Sequence, residues 1–112
     1  MLSWSSADSR SPADVSSIAD GHGDAGVRHG AELLAFAEAI ARYDDSELAA
    51  ARQRLVDVAG ADAMVDAAAV AANFEMMTRE ADGTGARFPA SVVDDRSSLT
   101  GTLGIDGLTS RR

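Results

Sequence analysis

Three consecutive runs of apolar residues at helical spacing fill the middle of the chain, from residue 31 to residue 82. Within each run the apolar side chains recur every three or four residues, which places them on one face of an α-helix. Aspartate and glycine separate the runs, and these residue types commonly start and end helices. The apolar positions of the first two runs are Leu33, Phe36, Ala37, Ile40, Leu48, Ala51, Leu55 and Val58. The pattern predicts helices over residues 31–43, 46–59 and 63–82.

The residues between the runs predict where each helix begins and ends. Asp44, with Glu47 three positions later, has the spacing of a capping box in which aspartate replaces the usual serine or threonine. Gly60 is expected to end the second helix, because glycine adopts the terminating backbone conformation without steric cost. Asp62 is a candidate cap for the third helix, which the glycines of residues 83–85 should stop.

The predicted fold is all-α, a small bundle of three main helices within residues 30–90. Residues 1–29 are mainly Ser, Asp, Gly and Ala, with too few large apolar side chains to offset the entropy of ordering. We therefore expect a disordered N-terminal tail, with a transient helical turn near residues 12–19. Residues 91–112 scatter their apolar residues among Gly, Thr, Ser and Asp. This C-terminal segment is expected to be loose, but residues 96–103 could form a short helix capped by one of the two preceding aspartates.

The charge balance bears on the class of partner. The chain of 112 residues has a net charge of −8, and it contains arginine but no lysine. Nucleic-acid binding needs a basic face that neutralises phosphates, so we predict no nucleic acid as a partner. The same balance argues against an anionic membrane surface. The most apolar stretch is interrupted by Asp66, Asn73 and Glu75, so no membrane-spanning segment is predicted.

The absence of cysteine removes whole classes of chemistry. Disulfides, zinc–thiolate sites and thiol mechanisms are all excluded for this chain. No secretory signal is expected at the N-terminus, where Asp8 and Arg10 come early and no apolar core is present. We expect a cytoplasmic location, and we predict no cofactor and no metal.

The third run forms two adjacent apolar stripes, which is more surface than two short helices can cover. We expect one stripe to face the first two helices and the other to face a partner. Alanine lets another helix approach closely, and methionine fills irregular gaps. The stripes are Ala67, Val70, Phe74, Met77 and Ala81, and beside them Val65, Ala69, Ala72 and Met76. The expected interface residues are Val70, Asn73, Phe74, Met76, Met77 and Arg79, with Phe74 as the main anchor.

Two polar features of this helix each allow a plain and a functional interpretation. Asn73 could hydrogen-bond a partner helix or a ligand, or it could lie at the edge of the apolar face and reach water. Glu75 and Arg79 form a charged cluster with Glu80 and Asp82. We interpret this cluster as a solvated, salt-bridged face, because a catalytic role needs shifted pKa values in a pocket.

Asp20, His22, Asp24 and His29 have the residue types of a metal-binding loop. Calcium loops use a different spacing, however, and zinc sites need further side chains that orient the ligands. We interpret these four residues as solvated parts of the N-terminal tail.

Residues 31–89 resemble the C-terminal half of proteins in the carboxymuconolactone decarboxylase-like and alkylhydroperoxidase-like superfamily. The resemblance rests on an apolar run with Asn and Phe together, an Arg some residues later, then Ala-Asp and a glycine turn. The matching positions are Asn73, Phe74, Arg79, Ala81, Asp82 and Gly85. The resemblance implies an all-helical fold that assembles through its long helices.

The chain departs from this family at the residues that carry its redox chemistry. The peroxidase members act through a C-x-x-C or C-x-x-x-H type motif placed before this region, and no cysteine is present here. Glu80 and Arg87 also occupy positions where relatives are expected to be apolar. The resemblance therefore does not carry peroxidase activity over to this chain.

Three hypotheses about function are consistent with the sequence. The leading one is a non-catalytic helical module that self-associates, or binds a partner protein or an apolar small molecule, through the helix 63–82. The alternative is a cysteine-free acid–base enzyme related to carboxymuconolactone decarboxylase, with His29, Glu75 and Arg79 as candidate residues. The third is a remnant without activity. A concave site with a buried carboxylate or histidine would favour the enzyme, whereas a flat apolar face would favour the interaction module.

We predict that the protein has no thiol peroxidase activity, because a thiolate is the required nucleophile and the chain contains no cysteine. The measurement is the consumption of hydrogen peroxide with a dithiol as reductant, using metal-free protein and a protein-free blank. Turnover clearly above the blank would contradict the prediction.

Overall fold

The computed structural model describes residues 13–20 and 23–105. All of the regular secondary structure in these residues is helical. Within these residues the chain forms six α-helices and no strand, which confirms the predicted all-α class with three main helices. The helices are α1 (Ser16–Asp20), α2 (Gly30–Arg42), α3 (Asp45–Ala59), α4 (Ala61–Thr84), α5 (Ala90–Asp95) and α6 (Ser97–Thr102). The main helices are α2, α3 and α4, and their ends lie within two residues of the predicted ones.

Helix α3 begins where its sequence predicts, and the hydrogen bonds of Asp44 explain why. Its carboxylate oxygen Oδ1 accepts hydrogen bonds from the backbone N–H groups of Ser46 and Glu47, both at 3.0 Å. These bonds satisfy two of the donors that a helix start leaves unpaired. They also lower the pKa of Asp44, chiefly through the bond from the Glu47 N–H, because they favour the ionised carboxylate.

The start and the end of α4 differ from the sequence expectation. Gly60, with a φ of 92°, both ends α3 and precedes α4, so Ala61 already belongs to the helix. Asp62 therefore lies inside the first turn, where its charge is favourable to the helix dipole, and it is not the cap. At the other end Gly83 remains helical. Gly85, with a φ of 69°, adopts the left-handed conformation that terminates α4.

The core lies between α2, α3 and the first half of α4. Helix α3 packs against both of the others, whereas α2 and α4 make the least contact with each other. Leu55 of α3 is fully buried at the centre of this arrangement. Among the described residues, the buried apolar side chains are Phe36, Ala39, Ala51 and Leu55. A core of this size, half of it alanine, is small even for a short domain.

Helix α4 is longer than the helices it packs on. It has 24 residues, against 13 in α2 and 15 in α3. At about 1.5 Å per residue, α4 extends about 36 Å, whereas the other two extend about 20 Å and 22 Å. The second half of α4 therefore extends beyond the core.

The face that α4 packs on the core overlaps the first predicted stripe only in part. The residues of α4 that pack on the core are Met64, Ala67 and Ala68, which are only partly buried. Of these, only Ala67 belongs to a predicted stripe. The large apolar side chains of both stripes are between 48% and 59% exposed, namely Val65, Val70, Phe74, Met76 and Met77. Ala67, Val70 and Phe74 of the first stripe face α2 across a gap, so the first two helices leave the large side chains of this stripe about half exposed.

The segment before α2 is folded back on itself in the part that the structure describes. The Asp14 N–H donates to the Ala25 carbonyl at 2.9 Å, and Ser17 is buried. Gly30 cannot be replaced without movement, because a Cβ there would lie 1.8 Å from the Asp24 carbonyl oxygen. Helix α1 overlaps the helical turn expected near residues 12–19.

The disordered tail was predicted for residues 1–29, of which 1–12 and 21–22 lie outside the described residues. The disorder of the N-terminal tail therefore stays a prediction. Residues 106–112 also lie outside the described part of the chain.

The C-terminal segment contains two short helices that pack mainly on each other. Helix α6 corresponds to the short helix expected near residues 96–103, whereas α5 was not predicted. The expected aspartate cap is wrong, because the residue before α6 is Arg96, whose side chain makes no capping hydrogen bond. The Arg96 guanidinium instead lies over the Phe88 ring, 5.9 Å from its centroid. This segment leaves the outer face of α4 exposed.

Replacing Leu55 by alanine should lower the free energy of unfolding by about 2–5 kcal/mol, because the change leaves a cavity in a fully buried position. Val58→Ala is the matched control, since Val58 lies on the same helix and is 46% exposed. Urea unfolding followed by far-UV circular dichroism measures both. Equal losses for the two variants would show that the core does not centre on Leu55.

Asp44→Asn should make stability less dependent on pH, because Asn keeps an accepting oxygen but cannot ionise. The lowered pKa of Asp44 means that its ionised form stabilises the fold above its ordinary value of 3.8. This contribution is lost as the pH falls through the lowered pKa. The measurement is urea unfolding of both proteins from about pH 6 to about pH 2.5. The wild type should be the more stable at the upper end, and the difference should shrink as pH falls; a difference that grows on acidification would contradict the prediction.

Candidate binding cleft

An open, apolar cleft separates α2 from α4. It encloses about 600 Å³ and exists because both helices pack on α3 while touching each other little. The buried ring of Phe36 contributes to its lining, and Glu75 and Thr78 are its polar residues. The apolar side chains that form its walls include Leu33, Ile40 and Ala41 of α2, and Val70, Ala71 and Phe74 of α4. The arrangement can hold an apolar group but offers few polar partners.

The predicted interface residues divide between the cleft and the outer surface of α4. Val70 and Phe74 line the cleft and remain 57% and 48% exposed. Met76 and Met77 do not line it and lie on the exposed surface. Asn73 is also exposed, and its Nδ2 lies 3.6 Å from the Met77 sulfur on the same helix. The structure thus brings Ala67, Val70 and Phe74 of the first stripe, and no residue of the second, to a concave site.

Three polar side chains meet at the end of the cleft where α2 stops. The Tyr43 hydroxyl accepts a hydrogen bond from Arg79 Nη2 at 3.0 Å and donates one to Glu75 Oε1 at 3.3 Å. Arg79 Nε also lies 3.9 Å from Glu75 Oε2. The bond to Tyr43, followed by the nearby Glu75 carboxylate, raises the pKa of Arg79, which therefore stays charged.

This contact contributes more to geometry than to stability. The side chains of Arg79 and Glu75 are 71% and 40% exposed, and exposed ion pairs contribute little to stability. The contact does connect the end of α2 to the second half of α4, which has little other packing. It therefore joins the two walls of the cleft at this end.

Tyr43 holds this position in a strained backbone conformation. Its φ of 56° and ψ of 34° are left-handed values that glycine usually supplies at a helix end. A residue with a Cβ pays about 1–2 kcal/mol for them. Tyr43 therefore ends α2 and directs its ring toward α4. The sequence pattern marks Tyr43 only as a helix end, since its partners are 32 and 36 positions away and leave no local signal.

The three candidate catalytic residues do not come together. His29 and Tyr43 flank opposite ends of α2, which is about 20 Å long, and Glu75 and Arg79 contact Tyr43. His29 Nε2 instead accepts a hydrogen bond from its neighbour Arg28, at 3.1 Å. Glu75 is a carboxylate on the cleft wall, but it is not buried.

The four residues interpreted as solvated, Asp20, His22, Asp24 and His29, can be followed only in part, because His22 lies outside the described residues. Asp24 Oδ1 accepts a hydrogen bond from the Gly26 N–H at 2.9 Å, which stabilises a turn. Within the described residues, no group of three or more metal-ligating side chains converges. Across the same residues, none of the helices combines the length and apolar character that crossing a membrane requires.

No protein-family model, curated protein or solved structure matches this chain. The resemblance to carboxymuconolactone decarboxylase-like proteins therefore stays a hypothesis, carried by the pattern around Asn73, Phe74 and Gly85.

Tyr43→Phe should loosen the second half of α4, because it removes both hydrogen bonds that join this half to α2. Compared with the wild type, the variant should show several-fold faster hydrogen exchange in residues 75–84 and unchanged exchange in residues 61–70. Mass spectrometry measures both segments. Overall stability should change by no more than about 0.5 kcal/mol, as expected for an exposed side chain. The control is Glu38→Gln, which weakens an ion pair within α2 and leaves α4 untouched. Unchanged exchange in residues 75–84 would contradict the structural role of Tyr43.

Proposed function

We propose that this protein is a non-catalytic helical module that binds the apolar face of a partner in the α2–α4 cleft. The observation that carries the proposal is the pair Val70 and Phe74, which line a concave site and are about half exposed. Contiguous apolar surface of this kind on a small domain is typical of interaction sites. The partner is another protein, a second copy of the chain, or an apolar small molecule.

The energetics of the domain support the same proposal. Its buried core contains two alanines and only two large side chains, Phe36 and Leu55. Full burial of a Val or Phe side chain contributes about 1.5–3 kcal/mol. A partner that covers Val70 and Phe74 would therefore add stability comparable to a sizeable part of this core.

The open shape of the cleft favours a helix over a small molecule as its occupant. Small-molecule sites bury most of the ligand surface, whereas this cleft is open to solvent between two helices. An amphipathic helix laid into a groove needs only one face covered. The acid–base enzyme alternative gains no support, because its candidate residues His29, Glu75 and Arg79 are not assembled in one site.

The proposal also includes a cellular location and a family relationship. A cytoplasmic location fits a chain without cysteine. A distant relation to carboxymuconolactone decarboxylase-like proteins fits an all-helical module that assembles through a long helix.

Val70→Glu should weaken binding of the neutral apolar dye Nile red by about tenfold, because burial of a valine contributes about 1.5 kcal/mol or more. Val65→Glu is the matched control. It changes the same residue type on the same helix at 58% exposure against 57%, and Val65 does not line the cleft. Fluorescence titration measures both dissociation constants. Equal effects of the two substitutions would contradict the proposed cleft function.

A further inference from the structure

We propose that the occupant of the α2–α4 cleft is a basic amphipathic helix of another protein. This inference rests on the proposed function and adds the charge and the shape of the partner. It follows from the excess of acidic residues on α4, from the form of the cleft, and from the poor match of a second copy.

Helix α4, which forms one wall of the cleft, carries more acidic than basic residues, and one of the acidic residues, Glu75, lines the cleft. Arg79 is the one basic residue of α4, and it is already engaged by Tyr43 and Glu75. The whole chain, α4 included, has a net charge of −8. Interfaces place opposite charges together, which speeds encounter and excludes partners of like charge. The acidic residues of α4 are Asp62, Asp66, Glu75, Glu80 and Asp82.

The shape of the cleft suits a helix. Leu33 and Ile40 are seven positions apart on α2, and Val70 and Phe74 are four apart on α4, so each wall presents side chains at helical spacing. Such rows accept the ridge of apolar side chains on a third helix. Helix α2 is about 20 Å long, which matches about four turns of a partner helix.

A second copy of the chain fits this surface less well. Two copies would double the negative charge, and their own α4 helices would each bring five acidic residues and one basic residue. Helix α3 carries Arg52 and Arg54, but it also carries three acidic residues. None of the three main helices is therefore the basic amphipathic element that the charge of the cleft calls for.

The test uses two synthetic amphipathic helices of about 18 residues, long enough to be helical on binding. One has leucine on its apolar face and lysine on its polar face, and the other has glutamate in place of lysine. Fluorescence anisotropy of the labelled peptides measures binding to the full chain. The Leu–Lys peptide should bind at least about tenfold more tightly than the Leu–Glu peptide. Its affinity should fall as NaCl rises from about 50 mM to about 500 mM.

Two variants separate cleft binding from general charge attraction. Val70→Glu adds a negative charge, so nonspecific attraction to the Leu–Lys peptide would grow, whereas binding in the cleft should weaken by about tenfold or more. Val65→Glu adds the same charge outside the cleft and should leave the affinity within about threefold of the wild type. Far-UV circular dichroism checks that both variants keep their helices. Phe74→Ala, which adds no charge, should also weaken binding.

The outcomes that overturn this inference differ from those that overturn the proposed function. If both peptides bind equally and Val70→Glu still weakens their binding, the cleft binds apolar helices without a preference for charge. A second possible result is that the wild type is a dimer by light scattering and binds neither peptide. If Val70→Glu then dissociates the dimer, the occupant of the cleft is a second copy of the chain. Either result overturns the basic helix and leaves the cleft function in place. Equal loss in Val65→Glu and Val70→Glu overturns both.

Discussion

The packing of α3 against both α2 and α4, centred on Leu55, is the interaction on which the rest of this structure depends. Leu55 is fully buried, and α2 and α4 both contact α3 more than they contact each other. Two helices attached to the same central helix, with few contacts between them, leave a gap. The α2–α4 cleft is therefore a direct consequence of how the core is built.

The length of α4 turns this gap into an exposed apolar surface. The core uses the first half of α4, through Met64, Ala67 and Ala68, and the remaining turns continue past it. A helix that is apolar around most of its circumference is normally buried. Here Val70 and Phe74 remain half exposed, because α2 lies across a gap from them and does not pack against them closely. The Tyr43 contact with Glu75 and Arg79 holds this second half near α2 without covering it.

The sequence predicts the parts of this fold that depend on local interactions. The Asp44 cap and the Gly85 terminus were predicted because both act within a few residues of their own position. The face that α4 turns to the core was predicted only in part. Alanine occurs on several sides of this helix, so periodicity cannot tell which alanines pack.

The candidate site follows the same division. Val70 and Phe74 were found from their helical spacing, but the cleft depends on the angle between α2 and α4, which no local pattern encodes. Tyr43 was missed as a site residue for the same reason, because its contacts join parts of the chain more than 30 positions apart. Long-range contacts of this kind appear only once the three helices are packed.

The most direct test of this account is the map of amide chemical shifts in the isotope-labelled chain on titration with the Leu–Lys peptide. The account predicts that the largest shifts cluster along the cleft walls, at Leu33, Ile40, Val70 and Phe74. Shifts near Val65 and Met76, on the surface of α4 outside the cleft, should stay small. Shifts that are largest around Val65 and Met76, or spread evenly over the acidic surface, would contradict the account.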